Sequence, residues 1–258
     1  MRGLRVIAVT DHDTVAGVSE AAATAAPLGI ELIAGVEISV TWGAVTLHVL
    51  GLRFDPSAPQ LLDGLSAMRA ERRSRAEQIA VQLRGEGIPG ALDAALSLAA
   101  DRETISRLHF ARALVSLGVV KDVRAAFRRY LGEGRRAFVR ARWARLSDAI
   151  GWIRNAGGIA VLAHPARYGL RPGRLAALCR EFKDLGGEGL EILSASHTPE
   201  EVARLSVLAQ ELGLKASAGS DFHSPEESWL DLGELSALPR HCVPIWRDWP
   251  ECTAASVH

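Results

Sequence analysis

The sequence predicts an α/β protein: a barrel-like sheet of βα units, interrupted by an all-helical insertion. Three observations predict it. The chain has 258 residues, which suits one α/β barrel of about 250 residues or two smaller domains. Short β-branched runs alternate with amphipathic stretches, the pattern of βα units on a parallel sheet. The middle of the chain, from Pro56 to about Gly134, has no comparable strand and carries helical periodicity instead.

Residues 5–9 (RVIAV) read as the first strand and residues 15–28 as a helix. Residues 31–41 (ELIAGVEISVT) and 45–52 read as strands. Residues 158–162, 190–193 and 215–218 supply three more buried strands, with helices expected over 147–155, 173–183 and 199–212. The last of these opens with Thr198-Pro199-Glu200-Glu201, an N-cap hydroxyl, a proline in the first turn and a glutamate able to close a capping box. In the middle, Leu61, Leu65, Met68, Ile79 and Leu83 recur at helical spacing. Beyond the Gly87-Ile88-Pro89-Gly90 break, helices are expected over 91–100, 106–117 and 123–131. The expected organisation is a barrel of residues 1–55 and 140–249, an insertion of residues 56–139, and a loose tail of residues 250–258.

Composition narrows the function classes. With 48% hydrophobic and 23% charged residues, the chain reads as a soluble globular protein, and no run approaches the roughly 20 apolar residues of a membrane span. The opening MRGLRVIAVTDHD has too short an apolar core to be expected to act as a secretory signal. Cys179, Cys242 and Cys252 form no CxxC pair, which points to a reducing compartment, the cytoplasm, and away from a disulfide framework. Thirty basic residues balance thirty acidic ones, which excludes a nucleic-acid tail, but the balance is uneven. Between Arg102 and Arg145 stand 12 basic residues and three acids. That stretch is either a solvated helical lobe or an electropositive wall that attracts phosphorylated substrates.

The histidines and acids fall at strand ends. Asp11-His12-Asp13 follows VIAVT, Glu37 lies in GVEIS, and His48 lies in TLHVLG. His164-Pro165 follows GIAVLA, His197 lies four residues beyond GLEIL, and Asp221-Phe222-His223 follows KASAGS. In an α/β barrel the active site is built at the C-terminal strand ends by side chains from several strands. Each residue alone has a structural reading: His48 as a core histidine, Glu37 as an arginine's partner, Asp11 and Asp13 as helix N-terminal acids, His164 as a turn residue. Jointly those readings need a private partner for every buried polar group. One metal cluster satisfies them all. Imidazoles with carboxylates suit borderline divalent ions, with Mn²⁺, Zn²⁺ and Fe²⁺ all plausible in the absence of nearby cysteine. No GxSxG elbow, P-loop or GxGxxG fingerprint is present.

These motifs, in this order, resemble the PHP (polymerase and histidinol phosphatase) family of metallophosphoesterases. The carrying segments are VIAVTDHDTVAG (6–17), GVEIS (35–39), LHVLGL (47–52), AGGIAVLAHPARY (156–168), GLEILSASHTP (189–199) and SAGSDFHSP (217–225). The resemblance is narrowest to the branch of nucleoside-3′,5′-bisphosphate phosphatases and RNase AM-type 5′→3′ exoribonucleases, through ISRLHFARALVSLG (105–118) and YLGEGRRAFV (130–139). It implies a distorted (β/α)7 barrel with two or three divalent ions, Mn²⁺ foremost, ligated by His12, Glu37, His48, His164, Asp221 and His223. Glu37 would be the bridging carboxylate, and His12, Glu37, Asp221 and His223 would serve catalysis. Arg107 and His109 fall where the branch has a phosphate-contacting pair, although Arg-Leu-His stands here in place of the usual Arg-Pro-His. Arg167 and His197 are further candidates for phosphate contact.

The implied activity is hydrolysis of phosphate esters of 3′,5′-bisphosphonucleosides or of short RNA 5′ ends. The alternatives are a small-molecule phosphatase of the histidinol-phosphate type and a non-catalytic metal-binding form. No specific duplex DNA, membrane or obligate protein partner is expected. The family pattern also opens with an H-x-H strand and an S-D-G loop that have no counterpart in these 258 residues. The barrel is therefore expected to lack its first strand: either the true start lies about 25 residues upstream, at the spacing the resemblance implies, which is the favoured expectation, or this is a degenerate form.

Overall fold

In the computed structural model, the structure describes residues 3–99, 101–224, 228 and 230–254. The chain folds as two compact units, Met1–Gly64 with Ala144–His258, and Leu65–Trp143.

The first unit is a seven-stranded mixed sheet flanked by helices. It contains β1 (Val6–Val9), α1 (Val18–Ala25), β2 (Glu31–Trp42) and β3 (Val45–Leu52), and the start of α2 (Pro59–Gly85). The order along the sheet is β1-β2-β3, then three later strands, with a short β4 (Ala144–Arg145) pairing with β2 beside β1. The later strands are β5 (Ile159–Leu162), β6 (Gly189–Ser194) and β7 (Lys215–Gly219). β1 lies parallel to β2, and β5, β6 and β7 lie parallel to one another. β3 runs antiparallel to both β2 and β5.

The expected parallel barrel is corrected on two counts. A two-residue connection, Gly43-Ala44, joins β2 to β3, and only a hairpin can be closed in that length. Gly43 supplies the positive φ, +58°, at its first position. The curled sheet is also open among the described residues, with β1 and β7 at its edges, so the barrel is partial.

Local chemistry explains the elements. β2 crosses β1 so closely at Gly35 that a Cβ there would stand 2.5 Å from the Val9 carbonyl oxygen. β5 and β6 are buried on both faces, as near-continuous apolar runs require. After β4, α6 (Leu146–Asn155) and α7 (Pro172–Asp184) flank the sheet, α6 through Leu146, Ile150 and Ile153. In α2, Gly64 sits where a Cβ would strike the Trp152 ring at 2.5 Å, which accounts for a glycine inside a helix. In α8 (Pro199–Leu212) both halves of the Thr198/Glu201 capping box form, and Gly213 ends the helix at φ +62°.

At the end of the expected barrel, Ile245 and Trp249 are buried with Ile33, Leu52 and Val161. Of the expected tail, Pro250–Ala254 form α9, whose Glu251 lies 3.1 Å from Arg53. Residues 255–258 lie outside the described residues.

The second unit is helical: the rest of α2, then α3 (Ala91–Ser97), α4 (Arg107–Ser116) and α5 (Val123–Ala126). Its core gathers Ile79, Leu83, Phe110, Leu114, Tyr130 and Leu131. The helix expected over 123–131 changes pitch halfway, becoming a π turn over Phe127–Leu131 that closes when the Gly132 N–H donates to the Phe127 carbonyl at 2.8 Å. A side chain on Gly132 would meet that same oxygen at 2.6 Å.

Candidate metal centre

The sheet register brings three of the expected residues to one place. His12 leaves the end of β1 and bridges, in parallel, to Glu37 in β2. Glu37 and Ser39 share a face of β2, and Ser39 stands opposite His48 in β3, so the carboxylate and the imidazole project to the same side. β5 then pairs with β3 so that the Ala163 N–H donates to the His48 carbonyl, which places His164 next to His48.

The geometry is compact enough to hold an ion. His48 Nδ1 lies 2.7 Å and His164 Nε2 lies 3.1 Å from Glu37 Oε1, and the two nitrogens are 3.1 Å apart. His12 Nδ1 lies 3.5 Å from Glu37 Oε2. His12, Glu37 and His48 offer ligand atoms that all lie within 4.8 Å of one another. A point about 2 Å from all three corners of the tight Glu37–His48–His164 triangle exists, which is the bond length a divalent ion takes to imidazole and carboxylate. Two imidazole nitrogens and a carboxylate oxygen that face one another are all electron-rich, so the cluster calls for a cation or shared protons between them.

The electrostatics agree. Burial alone would push the Glu37 carboxyl up. The neighbouring His48 and His12, with hydrogen bonds from His164 and His48, outweigh burial and hold it well below the ordinary glutamate value. His164 is 5% exposed and carries a second buried nitrogen, Nδ1, that has no hydrogen-bond partner.

Neighbouring groups hold this arrangement. His164 has φ +24°, a costly conformation for a residue with a Cβ. Its N–H donates to Glu191 Oε2 at 2.5 Å from buried β6. The Tyr168 hydroxyl donates to the Ala163 carbonyl at 2.7 Å and accepts from the His48 N–H at 2.9 Å. Burial pushes the Glu191 carboxyl up to about 8, and raises the Tyr168 phenol well above its ordinary value. Asp13, fully buried at φ +54°, accepts from the Ser39 N–H at 2.7 Å and the Ser39 hydroxyl at 2.9 Å, so it braces β2. Glu191 and Tyr168 were not singled out by sequence reasoning. Glu191 carried a usable signal, because a lone acid inside the apolar strand GLEIL repeats the situation of Glu37 in GVEIS.

The remaining expected residues are distributed differently. His223 stands near, its ring 6.3 Å from the His12 ring, with Nδ1 2.8 Å from the Asp221 carbonyl oxygen. Asp221, at φ +52°, is paired through Oδ2 with Arg167 Nη1 at 2.5 Å. His197 turns Nδ1 to the Ile192 carbonyl at 2.9 Å, so Nδ1 carries the proton. Its Nε2 is buried with no hydrogen-bond partner, and burial holds the imidazole pKa below the usual histidine value. That ring is tied back to β6. Arg107 and His109 lie in the second unit at the start of α4. The His109 ring accepts from the Ser106 N–H at 3.0 Å as half of a capping box, and the Arg107 guanidinium lies over the rings of Phe127 and Phe138.

No family model matches the chain. A 3′,5′-nucleoside bisphosphate phosphatase of Chromobacterium violaceum is 45% identical over 247 residues, 96% of this chain and 87% of that protein. A 5′-3′ exoribonuclease of Haemophilus influenzae is 43% identical over 95% of this chain and 88% of its own length. Among solved structures, an amidohydrolase from Chromobacterium violaceum with bound sulfate matches with a TM-score of 0.89 and 45% identity. The match covers 94% of this chain and 84% of that one. A structure from Bifidobacterium adolescentis, assigned as a metal-dependent phosphoesterase, matches with a TM-score of 0.77 and 28% identity over 94% of this chain and 83% of its own.

Proposed function

The chain belongs to the family of the 3′,5′-nucleoside bisphosphate phosphatase and the 5′-3′ exoribonucleases, and on that premise we propose the reaction that its metal centre supports. It is a metal-dependent phosphoesterase that hydrolyses phosphate esters of nucleotides, taking 3′,5′-bisphosphonucleosides and the 5′ ends of short RNA. The observation that carries this reading is the triangle of Glu37 Oε1, His48 Nδ1 and His164 Nε2, with edges of 2.7, 3.1 and 3.1 Å. Its hard carboxylate and borderline imidazoles fit Mn²⁺, with Zn²⁺ and Fe²⁺ as competitors.

Divalent ions held there lower the pKa of water and neutralise charge on a phosphoryl oxygen. The protein's own groups do the positioning. Glu37, with Oε1 toward His48 and His164 and Oε2 toward His12, is proposed as the carboxylate that would bridge the ions if two were held. His12, Asp221 and His223 are proposed to complete the ligand set and to serve catalysis, as the resemblance to PHP enzymes implies. Arg167, paired with Asp221, is proposed to contact a phosphate of the substrate. Arg107 and His109 are proposed to contact phosphate as well. The His109 Nδ1 accepts from the Ser106 N–H, which puts the neutral ring's proton on Nε2. Among the described residues no helix is long and apolar enough to cross a membrane, and a cytoplasmic setting is proposed because Cys179, Cys242 and Cys252 form no CxxC pair in the sequence.

The test is direct. The purified chain, loaded with Mn²⁺, is expected to release inorganic phosphate from 3′,5′-bisphosphonucleosides and mononucleotides from 5′-phosphorylated short RNA. Bound metal with no product from either substrate overturns the reading.

A further inference from the structure

The helical unit holds a cavity of about 690 Å³ whose lining is strongly cationic: Lys121, Arg128, Arg129, Arg135 and Arg136 against the single carboxylate of Glu86. That carboxylate is already taken by Arg136 at 2.8 Å. The nearby acids are committed too. Glu133 pairs with Arg140 at 3.2 Å, and Asp122 caps α5 by accepting from the Ala125 N–H at 2.7 Å. Arg128, Arg129 and Arg135 are exposed and have no carboxylate partner among the described residues.

The backbone is shaped for this display. The π turn over Phe127–Leu131 turns Tyr130 and Leu131 into the core and leaves Arg128 and Arg129 together on the outside. An ordinary helical repeat would be cheaper, and π turns recur at functional positions. The Arg129 Cζ lies 5.0 Å from the Tyr130 ring centroid, a cation–π contact beside the cavity.

We infer that this cavity binds the sugar-phosphate backbone of single-stranded RNA. The inference rests on the reading of the chain as a phosphoesterase of RNA 5′ ends, which leaves the remainder of a polymer to be held. Five cationic side chains around a cavity of about 690 Å³ outnumber the charges of a single phosphate. Such a lining suits neutralisation of successive phosphates with counterion release, which gives sequence-independent, salt-sensitive binding.

The test compares the Mn²⁺-loaded full chain with its Arg128→Gln/Arg129→Gln variant, using a single-stranded RNA decamer with phosphorothioate linkages. Loss of two phosphate contacts is expected to raise Kd about tenfold near 0.1 M salt, and to flatten the slope of log K against log salt by about 1.4, at about 0.7 per contact. Lys121→Gln, at a highly exposed side chain, gives a smaller shift in the same direction and stands in if the double variant misfolds. An unchanged Kd and slope overturns the inference. So does an equal loss of kcat/KM on RNA and on a 3′,5′-bisphosphonucleoside, which would make these arginines part of mononucleotide binding. Displacement of the RNA by polyglutamate at equal charge concentration and equal potency also overturns it, in favour of an acidic protein partner. A parent that binds RNA with the expected salt slope yet hydrolyses neither substrate removes the phosphoesterase reading and not the binding site.

Discussion

The two units of the chain treat charge in opposite ways. Among the described residues, the sheet unit buries Asp13, Glu37, His164 and Glu191, whereas in the helical unit Arg72 is the buried charged side chain, its guanidinium 5.0 Å over the Trp143 ring. The helical unit otherwise has an apolar core, with Arg75 and Arg107 half-buried, where burial lowers their pKa, and with Arg128, Arg129, Arg135 and Arg136 exposed. Burying a charged group costs several kcal/mol unless partners are at hand. The sheet unit bears that cost on adjoining strands and satisfies it by convergence. The helical unit bears it at fewer positions and leaves most of its cations in solvent, where they are proposed to attract anionic ligands. The contrast separates a place built for chemistry from a surface built for attraction.

The largest expected effect lies in the sheet unit. Glu37→Gln keeps the shape and removes the charge, and is expected to weaken Mn²⁺ affinity by about 100-fold or more and to lower kcat/KM by about a thousandfold. Metal titration with parallel kinetics checks this; parental stoichiometry and affinity would break the contrast. Phe110→Ala in the helical core is expected to cost about 3–5 kcal/mol in denaturant unfolding while leaving the metal affinity of the folded protein alone. A matching loss of metal affinity would show that the two regions are not chemically separate.

Smaller effects sharpen the comparison. Arg107→Ala is expected to lower kcat/KM about tenfold, mainly through KM, by loss of a charge-assisted phosphate contact. Steady-state kinetics identical to the parent would remove Arg107 from substrate binding. Glu191 provides a pH signature. Its folded-state pKa, about 8, lies above its ordinary value of 4.5, so the folded state retains a proton that the unfolded state loses. Its contribution to stability is complete below 4.5 and is lost as pH rises towards 8. Urea midpoints from pH 5 to 8 should therefore fall more steeply in the parent than in Glu191→Gln; equal slopes would show that Glu191 is ionised in the fold.

Much of this was legible in the sequence where the signal is local. α8 was readable to its ends because Thr198, Pro199, Glu201 and Gly213 state its caps. The strands from 31 to 52 were readable from their β-branched runs. What could not be read was direction: the reversal of β3 depends on a two-residue connection whose geometry outweighs the βα rhythm. The π turn was hidden inside helical periodicity, and the docking of Ile245 and Trp249 depends on distant strands. The positions of His12 and His164 just past strands, and of Glu37 and His48 within strands, were visible, but their roles depend on register. The same sequence rule flagged His197, which the fold ties to Ile192, and passed over Glu191, which the fold sets behind His164.

The central claim is that Glu37, His48 and His164 share one ion. Crystals grown with Mn²⁺ and measured for anomalous scattering test it most directly. A peak about 2 Å from Glu37 Oε1, His48 Nδ1 and His164 Nε2 is the expected result; fully occupied Mn²⁺ elsewhere, with those three atoms bonded only to one another, would contradict it.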